Sequence, residues 1–165
     1  MITSPISSLG DLGIALNQPL YVYQKPMLSL TVSVVLVVEN GVLLLKEEDA
    51  YRFPGGDVKA TQESVQFAAV RYVKEQTGIM LKKEAFIPVD FRSDPERTPF
   101  KNMVDIGFVC ILHDLLASSY SYGKIDVRWE EVDFENKCLA RESLFYLDHE
   151  ILLERALEIV GMMKE

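Results

Sequence analysis

Residues 53–79 read FPGGDVKATQESVQFAAVRYVKEQTGI, and the rest of the chain is organised around them. A Pro-Gly-Gly loop opens this stretch and leads into a run with apolar residues at helical spacing. Ser64 is a residue type that caps helix N-termini, and Gly78 is a type that ends helices in a left-handed conformation. The predicted core-facing stripe consists of Val65, Ala68, Ala69 and Val73. The stretch therefore predicts a glycine loop followed by an amphipathic helix between Ser64 and Gly78.

The segment before the loop has the pattern of a β-hairpin. Residues 28–38 begin with alternating apolar positions and end in a continuous β-branched run, and residues 42–46 form a second apolar run. Asn40 and Gly41 lie between the two runs, and both residue types accept the positive φ of a type I′ turn. The sequence thus predicts two paired strands joined by a tight turn at Asn40-Gly41.

The segment after the helix alternates further strands with a closing helix. Strands are predicted over residues 84–91, 103–112 and 127–129, with a turn region over 118–124 and a strongly periodic helix over 148–163. Asp148 and His149 mark the start of that helix and are given no catalytic role. This order predicts an α/β (α+β) sandwich with a mixed β-sheet between helices, spanning residues 26–165. Residues 1–25 are expected to be an N-terminal extension that packs on the domain or on a second subunit of a homodimer.

Composition narrows the classes of function. The 165 residues suit one globular domain, and a net charge of −8 with a pI near 4.8 argues against a nucleic-acid partner. The two cysteines and two histidines are not spaced as zinc ligands. No basic stretch precedes an apolar core at the N-terminus, and the longest apolar run is too short to span a bilayer. A cytoplasmic protein without a membrane partner is expected.

The central stretch resembles the Nudix box, whose pattern is Gly-x5-Glu-x7-Arg-Glu-U-x-Glu-Glu-x-Gly-U, with U a bulky aliphatic residue. The register is kept from Glu63 through Arg71 and Glu75 to Gly78 and Ile79. Two acidic positions of the pattern are not acidic here, because Tyr72 and Gln76 stand where the family has glutamate. Six residues instead of five separate Gly56 from Glu63.

Two flanking segments resemble one branch of the Nudix family. Residues 94–99, which read DPERTP, are similar to a loop of that branch, and residues 145–152 are similar to its closing segment. The branch contains ADP-ribose pyrophosphatases and transcriptional regulators that sense ADP-ribose. The resemblance implies a Nudix-type α/β/α sandwich, a small phosphorylated nucleotide ligand such as ADP-ribose, and Mg²⁺ or Mn²⁺ as the cofactor of any hydrolysis.

The resemblance also implies a set of site residues. Glu75, Glu63 and Arg71 correspond to the catalytic set, with Glu75 as the metal ligand, whereas Gly55, Gly56 and Arg97 correspond to ligand-binding positions. One of the three helix carboxylates remains, so metal affinity and hydrolysis should both be reduced, since Mg²⁺ prefers hard, charged oxygen ligands.

Three interpretations stay open at this point. The first is a weak hydrolase of a nucleoside diphosphate linked to another moiety, in which further acids assist Glu75. The candidates for that assistance are Asp57, Glu130, Glu131 and Asp133. The second is a catalytically inactive nucleotide-binding or sensing domain. The third is an interaction module without a small ligand. It stays open because proteins with the same fold can have unrelated functions.

Overall fold

The β-branched run near the N-terminus forms the central strand of a mixed sheet in the computed structural model, which describes residues 28–94 and 102–164. Within these residues the elements are, in chain order, β1 Ser29–Val38, β2 Gly41–Glu47, β3 Ala50–Arg52, β4 Gly55–Asp57, α1 Val65–Thr77, β5 Ile87–Arg92, β6 Met103–Leu112, β7 Tyr120–Tyr122, β8 Ile125–Asp133, β9 Cys138–Leu139 and α2 His149–Lys164. No helix among them is long and apolar enough to cross a membrane.

The sheet has the strand order β5-β6-β1-β2-β8-β7, with β3 added to β2, β4 to β1 and β9 to β8. Strands β1 and β6 run parallel over the whole of β1, from Ser29 opposite Met103 to Val38 opposite Leu112, and the other pairs are antiparallel. Successive β1 side chains point to opposite faces of the sheet. Val34 and Leu36 pack in the core under α1, and Val35 and Val37 pack in the core under α2. The predicted sandwich with a mixed sheet between helices is confirmed.

The ends of α1 lie where the sequence predicts them. The Ser64 hydroxyl accepts a hydrogen bond from the backbone N–H of Phe67 at 3.2 Å and so caps the first turn. Gly78 has φ 78°, and its N–H donates to the carbonyl of Lys74. Ala68, Ala69 and Val73 are buried against the sheet, as the predicted stripe requires.

The hairpin is present, but its turn lies one residue earlier than predicted. Val38 pairs with Gly41, so the two loop residues are Glu39 and Asn40, and of these only Glu39 has a positive φ, at 55°. Positive φ at the first loop position alone is a feature of type II′ rather than type I′ turns. Gly41 belongs to β2, where it pairs with Val38 and Glu131. Trp129 lies against it, since a Cβ on Gly41 would lie 2.4 Å from Cε2 of the indole.

Several predicted boundaries on the second half of the chain are also corrected. A short 3₁₀ turn over Lys83–Ala85 precedes β5, which begins only at Ile87. The segment predicted as a turn contains β7, and the strand predicted over three residues is the nine-residue β8. Pairing with β2 as far as Glu131, and with β9 at Val132 and Asp133, extends β8 through the acidic residues that follow the predicted strand.

Candidate functional site

The glycine loop of the box is held as a short strand against β1. In this strand, β4, Gly55 pairs with Ser33 and Gly56 pairs with Val32. A Cβ on Gly55 would lie 1.9 Å from the backbone oxygen of Val32, so the strands approach as closely as they do only because residue 55 has no side chain. Phe53, fully buried just before the loop, anchors it in the core under α2.

Glu63 and Arg71 tie the loop to α1. The guanidinium donates to both carboxylate oxygens of Glu63, from Nη2 at 2.6 Å and from Nε at 3.0 Å, and the backbone N–H of Lys59 donates to Oε1 at 3.0 Å. These hydrogen bonds, first from Arg71 and then from Lys59, lower the pKa of the Glu63 carboxyl from 4.5 to about 2. Glu63 and Arg71, which the resemblance placed in the catalytic set, form an ion pair whose geometry is that of a structural clamp.

The two non-acidic residues of the box also contact the loop. The side-chain amide of Gln76 spans both backbone groups of Gly55: Oε1 accepts from the N–H at 2.9 Å, and Nε2 donates to the carbonyl at 3.0 Å. The Tyr72 hydroxyl donates to the backbone carbonyl of Asp57 at 2.8 Å. The Tyr72 ring lies against Gly56, where a Cβ would stand 2.5 Å from Cζ. Both side chains therefore satisfy loop carbonyls by donating hydrogen bonds.

This arrangement does not fit a divalent cation between α1 and the loop. Mg²⁺ requires hard oxygen ligands in near-octahedral geometry. The carbonyl oxygen of Asp57 accepts from Tyr72 and, at 3.4 Å, from Arg71, and that of Gly55 accepts from Gln76. Donor hydrogens therefore stand where a cation would have to approach these oxygens. Glu75 is 55% exposed and lies 3.4 Å from the Arg71 guanidinium. Among residues 28–94 and 102–164, no group of three or more His, Cys, Asp or Glu side chains could hold a metal ion.

Of the four other acids considered from the sequence, Asp57 ends the glycine strand and the other three lie on a different strand. Glu130, Glu131 and Asp133 lie on β8, which β2 separates from β1 and the loop. Glu131 accepts from the Asn40 amide at 3.2 Å, and Asp133 accepts from the backbone N–H groups that follow it. Arg97 lies outside the described residues, so its predicted role in ligand binding stays a prediction.

A cavity of about 340 Å³ lies on the α2 side of the glycine loop. Its wall includes Gly55 and Gly56 from the loop, side chains of β1 and β6, and residues at the start of α2. The lining residues are Thr31, Val32, Ser33, Glu47, Arg52, Phe53, Gly55, Gly56, Met103, Asp105, Tyr146, Leu147 and His149. The volume is in the range of small-molecule sites, and a mixed apolar and polar lining is typical of them.

His149 is a buried polar group of this cavity, 6% exposed. Its Nδ1 accepts a hydrogen bond from the backbone N–H of Phe53 at 3.0 Å, so the ring proton of the neutral form is on Nε2. Nε2 lies 3.4 Å from the Ser33 hydroxyl. The ring also stacks on Phe53, with centroids 5.7 Å apart. Sequence reasoning placed His149 only at a helix start, whereas the fold makes it part of the cavity wall.

A buried cluster of charged side chains adjoins the cavity through Asp105. Arg92, 6% exposed, donates to the carboxylate of Asp105, to Asp148 at 2.5 Å and to Asp90 at 3.3 Å. Asp105, which lines the cavity, also accepts from the hydroxyl of Thr31 at 2.5 Å. Sequence analysis did not identify this cluster. The available signal was the presence of polar residues, such as Asp105, inside apolar strands.

The mouth of the cavity carries a cation and an aromatic ring. Arg52 belongs to β3 and pairs with Glu47 at 2.7 Å, and its side chain keeps 22% of its surface exposed. Tyr146 is 50% exposed. A guanidinium suits bidentate contact with phosphate, and an exposed aromatic ring suits stacking on a base. Together with the loop glycines, these groups can bind a compact anionic molecule that has a planar part.

Comparison with known proteins places this geometry in a family. The model of the NUDIX domain matches residues 27–142, more than half of the chain. An ADP-ribose pyrophosphatase from Methanocaldococcus jannaschii is 31% identical over 80 residues, and the match covers 46% of this chain and 46% of that protein. The matched part therefore spans about half the length of this relative.

Solved structures agree on the fold. A MutT/nudix family protein from Enterococcus faecalis superposes with a TM-score of 0.70 at 20% identity, covering 90% of this chain and 69% of that one. The NUDIX domain of Shewanella oneidensis NrtR, complexed with ADP ribose, superposes with a TM-score of 0.65 at 18% identity, covering 86% and 97%. The relatives thus include the ADP-ribose proteins that the flanking segments indicated. The chain belongs to the NUDIX family.

Proposed function

We propose that this protein binds a small phosphorylated nucleotide of the ADP-ribose class in the cavity beside the glycine loop, and that it acts as a binding or sensing domain rather than as an efficient hydrolase. The observation that carries the proposal is the contrast between the two sides of the loop. On the α2 side, a cavity of about 340 Å³ presents Arg52 and Tyr146. On the α1 side, Gln76 and Tyr72 take the carbonyls that a cation would need.

The chemistry of the cavity suits such a ligand. Arg52 can exchange its exposed partner Glu47 for a phosphate, because Glu47 is 61% exposed and an exposed ion pair contributes little free energy. Gly55 and Gly56 allow a ligand to approach the backbone. The ADP ribose bound by the NUDIX domain of Shewanella oneidensis NrtR supports this class of ligand.

A second candidate function is metal-dependent hydrolysis of the same class of molecule. The observation that favours it is the intact clamp between Glu63 and Arg71, together with 31% identity to an ADP-ribose pyrophosphatase over 80 residues. Under this function Glu75 would be a catalytic metal ligand for Mg²⁺ or Mn²⁺, assisted by other acids such as Asp57. Slow turnover would then be expected.

Phosphorus NMR of the protein with ADP-ribose distinguishes the two functions. Binding without turnover is expected to shift or broaden the pyrophosphate resonances without any decay, with or without excess Mg²⁺. Monophosphate resonances that grow only with Mg²⁺ would instead establish the hydrolase. Spectra that do not change in either condition would exclude ADP-ribose as the ligand and overturn the proposal.

A matched pair of arginine variants tests the position of the ligand. Arg52→Ala removes the cation at the cavity mouth and is expected to weaken ADP-ribose binding about tenfold or more, the effect of losing a charge-assisted hydrogen bond. Arg128→Ala removes an arginine whose side chain is 43% exposed and pairs with Asp126 on β8, and it should leave the affinity unchanged. Equal effects of the two variants would place the ligand elsewhere.

The remaining expectations about partners and location belong to the same proposal. A net charge of −8 supports a small nucleotide rather than a nucleic acid as the ligand, because a phosphodiester backbone is repelled by an acidic surface. A homodimer through the N-terminal extension and a cytoplasmic location stay predictions. Light scattering on the purified chain would measure the oligomeric state.

A further inference from the structure

Gln76 and Tyr72 both donate hydrogen bonds to the glycine strand, a feature that the loss of two acidic residues alone does not explain. Each side chain reaches from α1 to the glycine strand and donates a hydrogen bond to a backbone carbonyl, at 3.0 Å to Gly55 and at 2.8 Å to Asp57. A carboxylate at either position could only accept. The two substitutions therefore reverse the polarity of the contact at both carbonyls in the same sense.

We infer that Gln76 and Tyr72 form a latch that replaces a bound divalent cation between α1 and β4, and that the ligand consequently binds without metal, a consequence that rests on the function proposed above. The latch is defined as the side chains of these two residues and their contacts with Gly55, Gly56 and Asp57. In this arrangement protein atoms join the helix to the strand.

The geometry at Gly55 is that of a closed two-bond pair. The primary amide of Gln76 accepts from the N–H and donates to the C=O of one residue, which uses both polar backbone groups that β1 leaves to it. A glutamate in this position keeps the first bond and loses the second. It also sets a negative charge beside a carbonyl oxygen, a repulsion that a bound cation or a proton would relieve.

The Tyr72 ring makes two further contacts. The Arg71 guanidinium stands 4.3 Å from the ring centroid, in cation–π geometry, and Gly56 packs against the hydroxyl end. The same arginine is held by Glu63. The clamp and the latch therefore form one continuous connection from the loop to the helix.

The inference is tested by thermal unfolding with and without Mn²⁺. Gln76→Glu is expected to lower the melting temperature by about 3–8 °C in EDTA, and Mn²⁺ should restore at least half of that loss. Gln66→Glu makes the same chemical change at an exposed position of α1 and is the matched control. The control and the wild-type protein should each respond to Mn²⁺ by less than about 1 °C.

A further variant and a direct binding measurement keep the test decisive if Gln76→Glu does not fold. Tyr72→Phe removes only the donor hydroxyl and should lower the melting temperature by about 1–3 °C with no response to metal. Electron paramagnetic resonance of Mn²⁺ titrated into the wild-type protein should show the free-ion signal undiminished. One equivalent of bound Mn²⁺ that Glu75→Gln abolishes would overturn the latch, as would a Gln76→Glu protein as stable as wild type.

Binding of ADP-ribose is measured separately from binding of metal. The dissociation constant for ADP-ribose, measured by calorimetry in EDTA and in Mg²⁺, is expected to agree within about twofold, whereas a metal-requiring site would differ by tenfold or more. Tighter binding in Mg²⁺ by that margin would overturn metal independence. Lack of ADP-ribose binding in both buffers would refute the proposed function, and the Mn²⁺ measurements would still decide the latch.

Discussion

Arg92 is a buried cation on which three carboxylates converge, and its replacement by methionine is expected to destabilise the fold by about 3–5 kcal/mol. Arg92 and Asp105 are 6% and 1% exposed, so neither charge can be hydrated when the other is removed. Methionine fills most of the space of the aliphatic stem but leaves the buried acid without its cation. Breaking a buried ion pair from one side costs this amount because it strands the other charge.

The magnitude is limited by partners that the carboxylates keep. Asp90 retains Arg155 at 2.7 Å, and Asp105 retains the hydroxyls of Thr31 at 2.5 Å and Ser33 at 3.1 Å. Without these contacts the cost would exceed the stated range. Asp105 also lines the cavity, so the variant should bind ADP-ribose more weakly than wild type at a temperature where both are folded.

Urea denaturation at pH 7, followed by far-ultraviolet circular dichroism, measures the change in the free energy of unfolding. Arg128→Met is the matched control, since the side chains of its ion pair with Asp126 are 43% and 41% exposed and an exposed ion pair contributes little free energy. Equal m-values would show that both proteins unfold from comparably compact states. A loss for Arg92→Met no larger than that of the control would refute the reasoning.

Two further predictions concern the box clamp and the hairpin. The folded pKa of Glu63, about 2, is below its ordinary value of 4.5, so the clamp contributes stability that is full above pH 4.5 and is lost as the pH falls towards 2. Glu63→Gln should therefore be about 1–2 kcal/mol less stable than wild type at pH 7, after allowance for solvent screening. This difference in the free energy of unfolding, measured by urea denaturation, should shrink by more than half at pH 3. A difference that does not change with pH would contradict the clamp. Gly41→Ala places a Cβ 2.4 Å from the Trp129 ring and 2.5 Å from the Glu130 carbonyl, so it should cost about 1–3 kcal/mol and shift the tryptophan fluorescence to longer wavelength. Gly161→Ala is the control, because nothing lies within 4 Å of the added Cβ; it should stabilise α2 by about 0.5–1 kcal/mol and leave the fluorescence unchanged. If the fluorescence spectrum of Gly41→Ala is identical to that of wild type, the Trp129 ring does not restrict residue 41.

Local features of the chain were predictable because their causes lie within a few residues of one another. The limits of α1 follow from a serine cap, an apolar stripe and a terminal glycine, all of which act within the helix itself. The spacing from Glu63 through Arg71 to Gly78 indicated the family, and the match of the NUDIX domain model confirms it. The strand predicted over residues 127–129 extends to Asp133, because pairing with β2 and β9 sets its length and its own residues do not.

The partners within the site depend on contacts between distant parts of the chain. The register of the box showed that Tyr72 and Gln76 stand at acidic positions. It could not show that they donate hydrogen bonds to the loop, because Gln76 and Gly55 are 21 residues apart. The Ser33 hydroxyl and the His149 ring are separated by 116 residues and meet only when α2 closes over the sheet. Helix periodicity and box spacing are properties of the local chain, whereas the direction of a hydrogen bond across the core depends on which backbone groups the strands leave unpaired. For this reason the family could be identified from one stretch of sequence, while the latch, the buried charge cluster and the cavity required the assembled sheet.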